Sequence, residues 1–336
     1  MHSLSRHRRY LIASAAALMA GLVGSHSVLA NEPGSAYFSG KTIKIIVPNP
    51  AGGTSDVLAR LLAPGMAEQL GANVIVENRA GATGNLGSDL VAKAPGDGLT
   101  LLLTDIGSLA IAPSVFPKLP FDPVKDFAPV ALVAYSPHVL AVSPQLPVKD
   151  VRELIALAKS KPGGLNFANS GTGGANHLAG IEFAMRSGVS WTYIPYKGGS
   201  QALNDVVAGQ ADVIFNGMVA TWPLVQGGRL KALAISSAKR FSAAPELPTV
   251  AEAAGMANFE TGSYQGIAAP AATPAAVVNT LHAVVTKLLA TPDMLARLAK
   301  MGAEPRPGTP AQFGAFIRGE KERWARVVKE SGVKFD

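Results

Sequence analysis

The densest chemistry in the sequence lies in residues 49–56, Asn49-Pro50-Ala51-Gly52-Gly53-Thr54-Ser55-Asp56. Two adjacent glycines let the backbone approach a ligand closely, because no Cβ stands in the way. A helical pattern begins at Ser55-Asp56. The first four N–H groups of a helix have no intrahelical partner, and its dipole makes that end attractive to anions. A phosphate-binding loop of the Walker type needs Lys and Ser/Thr after its last glycine, and here Thr54, Ser55 and Asp56 follow instead. The chemistry expected of such a loop is capture of a small anion such as a carboxylate, not of a nucleoside triphosphate.

Positioning that loop requires a strand before it and a helix after it, and the same unit recurs. Candidate strands are Ile43–Val47, Val74–Glu77, Leu99–Thr104, Val130–Ala134, Val139–Ser143, Leu165–Ala168, Trp191–Pro195, Ala211–Asn216, Leu230–Ser236 and Gly266–Ala269. Helical stripes lie between many of them, as with Val57, Leu58, Leu61, Leu62, Met66 and Leu70. Apolar strands alternating with such helices predict an α/β fold of parallel sheets covered on both faces. From Pro274 onward the pattern is mostly helical, over Val277–Leu289, Pro292–Met301 and Pro310–Ser331. Two later strands also run into glycine turns and helices, through Gly171-Thr172-Gly173-Gly174 to His177 and through Lys197-Gly198-Gly199-Ser200. Glycine turns at the carboxyl ends of strands are where open α/β sheets bind ligands. A cleft between two α/β domains would draw on all three.

The N-terminus reads as an export signal. Arg6, Arg8 and Arg9 precede an apolar stretch from Tyr10 to Val23, and Val28-Leu29-Ala30 offers small residues for cleavage after Ala30. The Arg8-Arg9 pair leaves both the general secretory and the twin-arginine routes open. The whole chain is +7, from 30 basic and 23 acidic residues; without the three arginines of the signal, 27 against 23 leaves +4. A mildly basic chain without clustered Lys/Arg and stacking aromatics is not expected to bind nucleic acid. Cys is absent, which excludes disulfides, thiolate metal sites, a lipoprotein anchor and a cysteine nucleophile. The mature length of about 305 residues suits two domains.

Catalysis finds little support. Beyond the signal the histidines are His138, His177 and His282; none lies in an HExxH arrangement, and no pair has metal-ligand spacing. There is no G-x-S-x-G nucleophile elbow, and no cofactor or metal is expected. The enzymatic alternative is a hydrolase using Ser55 or Thr172 near His177.

Several ordered motifs carry a resemblance across the mature chain, from about Lys41 to Asp336. They are Pro50–Asp56, Val76-Glu77-Asn78-Arg79-Ala80-Gly81, Asp97-Gly98-Leu99-Thr100-Leu101 and Phe121-Asp122-Pro123-Val124-Lys125-Asp126-Phe127. Gly171-Thr172 with His177-Leu178-Ala179-Gly180, then Pro195-Tyr196-Lys197-Gly198 and Pro248-Thr249-Val250-Ala251-Glu252, complete the series. Together they resemble the Bug-type periplasmic solute receptors of tripartite tricarboxylate transporters. The resemblance implies a two-domain periplasmic binding protein of type II-like architecture, each lobe a mostly parallel sheet flanked by helices, with the ligand in the interdomain cleft. Residues 41–135 plus 266–336 would form lobe I, and residues 136–265 lobe II. The implied function is binding of a small carboxylate by hinge closure and delivery to membrane permease subunits, by a monomer and without chemical change. An orphan receptor signalling to a sensor partner is the alternative within the class.

The site residues implied are Asn49, Ala51, Gly52, Gly53, Thr54, Ser55 and Asp56 from the first loop, Ser108 after the third strand, and Gly171, Thr172 and His177 from the second loop. Asn216 and Tyr264 complete the set. Each has a plainer alternative: a helix cap for the first loop and Asp56, a turn for Ser108, a structural role for His177, core packing for Tyr264. Lys197 would neutralise a carboxylate or serve as a structural ion pair. Three positions depart from the family pattern. Asn49 stands where relatives usually place an aromatic ring, Asn216 where an acid is frequent, and Tyr264-Gln265 where Trp-Phe is frequent. Loss of the acid at 216 leads to the expectation that amino acids are less favoured ligands than carboxylates lacking an ammonium group.

Overall fold

The computed structural model describes residues 34–116 and 118–332; the expected export signal, residues 1–30, lies outside the described residues. Each strand that reaches the candidate loops is a run of buried aliphatic residues ending at a glycine or a small polar residue. In chain order the elements begin β1 (Thr42–Val47), α1 (Thr54–Leu70), β2 (Asn73–Asn78), α2 (Asn85–Ala92), β3 (Thr100–Asp105) and the short α3 (Ala112–Val115). They continue with β4 (Phe127–Val142), α4 (Val151–Ser160), β5 (Leu165–Asn169), α5 (Ala175–Ser187), β6 (Trp191–Pro195) and α6 (Gly199–Ala208). The rest are β7 (Val213–Gly217), α7 (Met218–Gln226), β8 (Lys231–Ile235), α8 (Val250–Ala254), β9 (Gly262–Pro270), α9 (Ala275–Leu289), α10 (Pro292–Lys300), β10 (Glu304–Pro305) and α11 (Pro310–Ser331).

The strands follow one path, β2-β1-β3-β9-β4-β7-β5-β6, with β8 and β10 paired to β4. Its arms are parallel: β1 with β2 and β3, and β5 with β6 and β7. Its middle is antiparallel, because β9 pairs with β3 and β4, and β4 pairs with β7 and β8. The result is a mixed α/β fold, an open sheet flanked by helices.

One strand expectation is corrected. Val130–Ala134 and Val139–Ser143 read as two strands, but β4 is continuous from Phe127 to Val142. Residues up to Pro137 pair with β9, and from His138 onward the partners are β7 and β8. Pro137 supplied the apparent break. It sits at the exchange of partners, where a residue lacking an N–H interrupts the ladder least. Ser136 secures the exchange by donating to the Gly302 carbonyl (3.2 Å) and accepting from the Val219 N–H (3.2 Å).

Separate cores hold the two arms. Ile43, Ile45, Leu58, Leu62, Leu281 and Val285 pack β1, α1 and α9 together. Phe167, Phe183, Phe215, Phe259 and Trp191 form an aromatic cluster over β5 and β7. α11 crosses to both: Phe313 and Ile317 join the core around β9, while Trp324 packs with Ile111, Val115 and Leu178.

β9 must lie close against α11 to aim its side chains at the cleft. A Cβ on Gly266 would stand 2.2 Å from the Phe313 ring. Gly266→Ala should therefore lower stability in urea unfolding by about 1–3 kcal/mol through overpacking. An unchanged midpoint would mean that α11 is free to shift away.

Candidate functional site

Four helices begin at one cavity, and each begins on a glycine. The N-caps are Gly53 of α1, Gly174 of α5, Gly198 of α6 and Gly217 of α7, and no side chain caps any of them. Four helices elsewhere carry a side-chain cap, Asp150 for α4, Thr249 for α8, Thr291 for α10 and Thr309 for α11, while α2, α3 and α9 start on Gly84, Ile111 and Pro274 without one. A capping side chain is worth about 1 kcal/mol. Its omission leaves first-turn N–H groups of α1, α5 and α6 available to something other than the protein, while in α7 Ser136 Oγ already accepts the Val219 N–H (3.2 Å). The cavity they surround measures about 90 Å³.

The wall contains Asn49, Pro50, Gly53, Thr54 and Ser55 from the first loop, and Ser170, Gly174, Ala175 and Asn176 from the second. Gly199, Asn216 and Gly217 come from the third and fourth helix starts, and Thr83, Thr104, Asp105, Gly107, Ser108, His138, Ser263 and Gln265 close the remainder. Among the described residues no Lys or Arg lines it. An anion bound here would be held by backbone N–H groups, hydroxyls and amides, with each helix terminus contributing up to about 2 kcal/mol in a partly buried setting.

Of the residues expected from sequence, Asn49, Gly53, Thr54, Ser55, Ser108 and Asn216 stand on this wall. The others stand behind or beside it. Ala51 is exposed at the mouth, where its carbonyl accepts from Ser200 Oγ (3.1 Å). Gly52 has φ +79° and gives its N–H to Asp56 Oδ2 (2.9 Å), so Asp56 shapes the loop from beneath. Burial raises the Asp56 carboxyl, but hydrogen bonds from Arg60, Gly52 and Asn78 outweigh it and hold the group below the usual carboxylate range. Gly171 and Thr172 meet Thr83, whose hydroxyl donates to the Thr172 carbonyl (3.3 Å). His177 Nδ1 accepts the Gly173 N–H (2.9 Å), and its ring meets Tyr193 edge-on (4.7 Å), so it supports the second loop from within. Tyr264 packs on Tyr135 and Phe316, on the opposite face of β9 from Ser263 and Gln265, as strand alternation requires. Lys197 lines a separate surface depression with Ala80–Thr83.

Several close approaches span the cavity mouth, between segments before and after β4. A Cβ on Gly198 would stand 2.4 Å from Pro50 Cδ, one on Gly171 2.8 Å from Thr83 Oγ1, and one on Gly217 2.8 Å from Thr54 Oγ1.

The sequence model described as "Tripartite tricarboxylate transporter family receptor" matches residues 58–333. The chain belongs to that receptor family. It is 37% identical to Protein BugT of Bordetella pertussis over 298 residues, which are 88% of this chain and 91% of BugT. Among solved structures, Rpa4515 of R. palustris with adipate matches with TM-score 0.85 and 35% identity, covering 88% of this chain and 98% of that one. MatC (Rpa3494) from Rhodopseudomonas palustris, with bound malate, matches with TM-score 0.82 and 35% identity, covering 86% and 99%.

For a receptor of this family, the residue most conspicuously missed from sequence is Asp105. It ends β3, and the antiparallel pairing of β3 with β9 brings it against Ser263 and Gln265, about 160 positions later. Ser263 Oγ donates to Oδ2 (2.6 Å) and the Gly107 N–H to Oδ1 (2.7 Å). Burial pushes the Asp105 carboxyl up to about 6, against the opposing pull of those two bonds. His138 and His177 are pushed down by burial, to about 3 and about 4, so both are neutral at pH 7. His138 Nδ1 lies 3.1 Å from Thr261 Oγ1. Proximity to Ser108 was the one sequence clue to Asp105, and Ser108 itself pairs with Thr104 (2.8 Å).

These shifts predict a pH dependence. Between about pH 4 and 6 the folded chain keeps a proton on Asp105 that the unfolded chain has released, so this contribution to stability is present at low pH and lost as pH rises through about 6. The two histidines act oppositely, losing stability as pH falls below about 6.5, where the unfolded chain takes up protons first. Comparing wild type with Asp105→Asn isolates the carboxyl. Relative to wild type, the variant should gain roughly 2 kcal/mol in urea unfolding between about pH 4.5 and pH 7. A difference independent of pH would mean that Asp105 titrates as an ordinary carboxyl.

Proposed function

We propose that this chain is an exported receptor that captures a small carboxylate in the 90 Å³ cavity and delivers it to a tripartite tricarboxylate-type permease. The observation that carries the reading is the convergence of four glycine-started helices, none with a side-chain cap, on a cavity that has no lysine or arginine among the described residues. Adipate and malate in two relatives of the same fold support carboxylates as the ligand class.

The proposed division is residues 41–135 plus 266–336 for one lobe and 136–265 for the other. β4 and the segment before β9 then cross between them, and the hinge lies near Ser136–His138 and Thr261–Ser263. The proposed cycle is capture on one lobe, closure of the second by contacts made only when both touch the ligand, and docking of the closed monomer on the permease. Export requires removal of the leader near Ala30. Among the described residues no helix is long and apolar enough to cross a membrane.

A hydrolytic role lacks a poised base. His177 Nδ1 already accepts the Gly173 N–H, and Ser55 Oγ lies 3.4 Å from Asn49 Oδ1, not beside an imidazole.

The test uses adipate, malate and citrate with the mature protein. Thermal stability should rise with ligand, by about 2.7 kcal/mol when a ligand stands at a hundred times its Kd, and mass spectrometry should recover the acid unaltered. Gly198 is extended (φ 176°), so Gly198→Ala leaves the local backbone unstrained while wedging a methyl group against Pro50. The variant should keep ligand-free stability within about 0.5 kcal/mol and lose at least about tenfold in affinity, roughly 1.4 kcal/mol. Unchanged affinity would place ligand capture outside the closed mouth.

A further inference from the structure

The cavity is not uniformly a donor site. Its helix N-termini, its hydroxyls and the Asn176 amide offer hydrogens, but the wall built from the ends of β3 and β9 offers acceptors. Asp105 lies deep in the protein yet keeps part of its surface open, and it lines the cavity. It receives hydrogen bonds from Ser263, Gly107 and Gln265, the last at 3.4 Å, and among the described residues no Lys or Arg lines the cavity with it. Gln265 is almost wholly buried at 1% exposure. Its Nε2 is directed at Ser263 Oγ (2.5 Å) and Asp105 Oδ2, which fixes the orientation of the amide. Among the described residues its Oε1 has no hydrogen-bond partner. A buried acceptor left unmade costs the desolvation of that oxygen, and native proteins rarely tolerate it without a ligand or water in place.

On the donor side, Asn176 is 3% exposed. Its Oδ1 accepts from Ser170 N (3.2 Å) and Ser170 Oγ (2.8 Å), while its Nδ2 has no partner among the described residues. One cavity thus holds a buried unpartnered donor beside a glycine-started helix and a buried unpartnered acceptor beside a carboxyl group. A ligand that is only an anion satisfies the first set and is repelled by the second.

We infer that the ligand carries, besides the carboxylate, a hydrogen-bond-donating group (ammonium, hydroxyl or amide N–H) that Asp105 and Gln265 Oε1 receive together. The inference rests on the carboxylate reading above and narrows it to substituted acids. It also reverses the expectation drawn from Asn216. The acid absent from the end of β7 is supplied by the end of β3.

The test measures binding by calorimetry to the mature protein with matched sets of acids. The sets are succinate, malate and aspartate; adipate and 2-aminoadipate; and 3-phenylpropionate, 3-phenyllactate and phenylalanine. In the set that fits the cavity, a hydroxy or amino member should bind at least about tenfold tighter than its unsubstituted parent. Asp105→Asn should shrink that preference to about threefold or less and strengthen binding of the parent, since the repelling charge is gone. A purely structural role for Asp105 would weaken parent and substituted acids alike. Parents binding as tightly as substituted acids would overturn the inference and leave the carboxylate reading standing. If no member of any set binds, the carboxylate reading fails and takes the inference with it. Should Asp105→Asn not fold, the wild-type comparison still decides.

Discussion

Everything in this cavity depends on backbone N–H groups that the protein declines to cap. At four other helix starts the chain uses Asp or Thr side chains as caps, and at two of these it builds reciprocal capping boxes with Glu252 and Gln312. At the cavity it places Gly53, Gly174, Gly198 and Gly217. Uncapped N–H groups are a stability cost in isolation, and a carboxylate repays it with shorter, charge-assisted hydrogen bonds. Positive charge supplied by dipoles instead of lysines stays fixed in direction and loses no side-chain entropy when the ligand arrives. Glycine adds a second benefit at the mouth, since any Cβ at 198 would prevent the approach of Pro50.

The antiparallel centre of the sheet determines which other groups reach the site. β4 passes from one arm to the other with its pairing partners exchanged at Pro137, and β9 enters beside it at Gly262. Residues on both sides of that crossing, His138 on β4 and Ser263 and Gln265 on β9, face the cavity. The same strands that cross between the arms therefore carry polar groups into the cavity wall. Asp105 joins them from β3 through Ser263, which ties the cavity-lining carboxyl directly to the crossing strand.

Much of this was legible in the sequence because it is local. Pro310–Ser331 is helical over the range its apolar spacing marks, with Thr309 as cap, and each glycine turn opens the helix expected of it. The limits were set by pairing across long sequence distances. Tyr264 and its neighbours Ser263 and Gln265 differ by one residue in phase, and only the pairing of β9 with β3 determines which face meets the cavity. Asp105 resembled any acid at a strand end until β9 closed over it. His177 drew notice as a lone histidine at a helix start, and the structure uses it to hold the Gly173 N–H of the loop it follows.

The central claim is that helix N-termini, not side-chain cations, hold the ligand. A crystal structure of the mature protein with its tightest-binding acid tests this most directly. The carboxylate oxygens should lie about 2.7–3.2 Å from backbone N–H groups at the starts of the helices beginning at Thr54, Ala175 and Gly199. A carboxylate paired instead with Lys197 or another surface cation, away from those glycine-started helices, would contradict it.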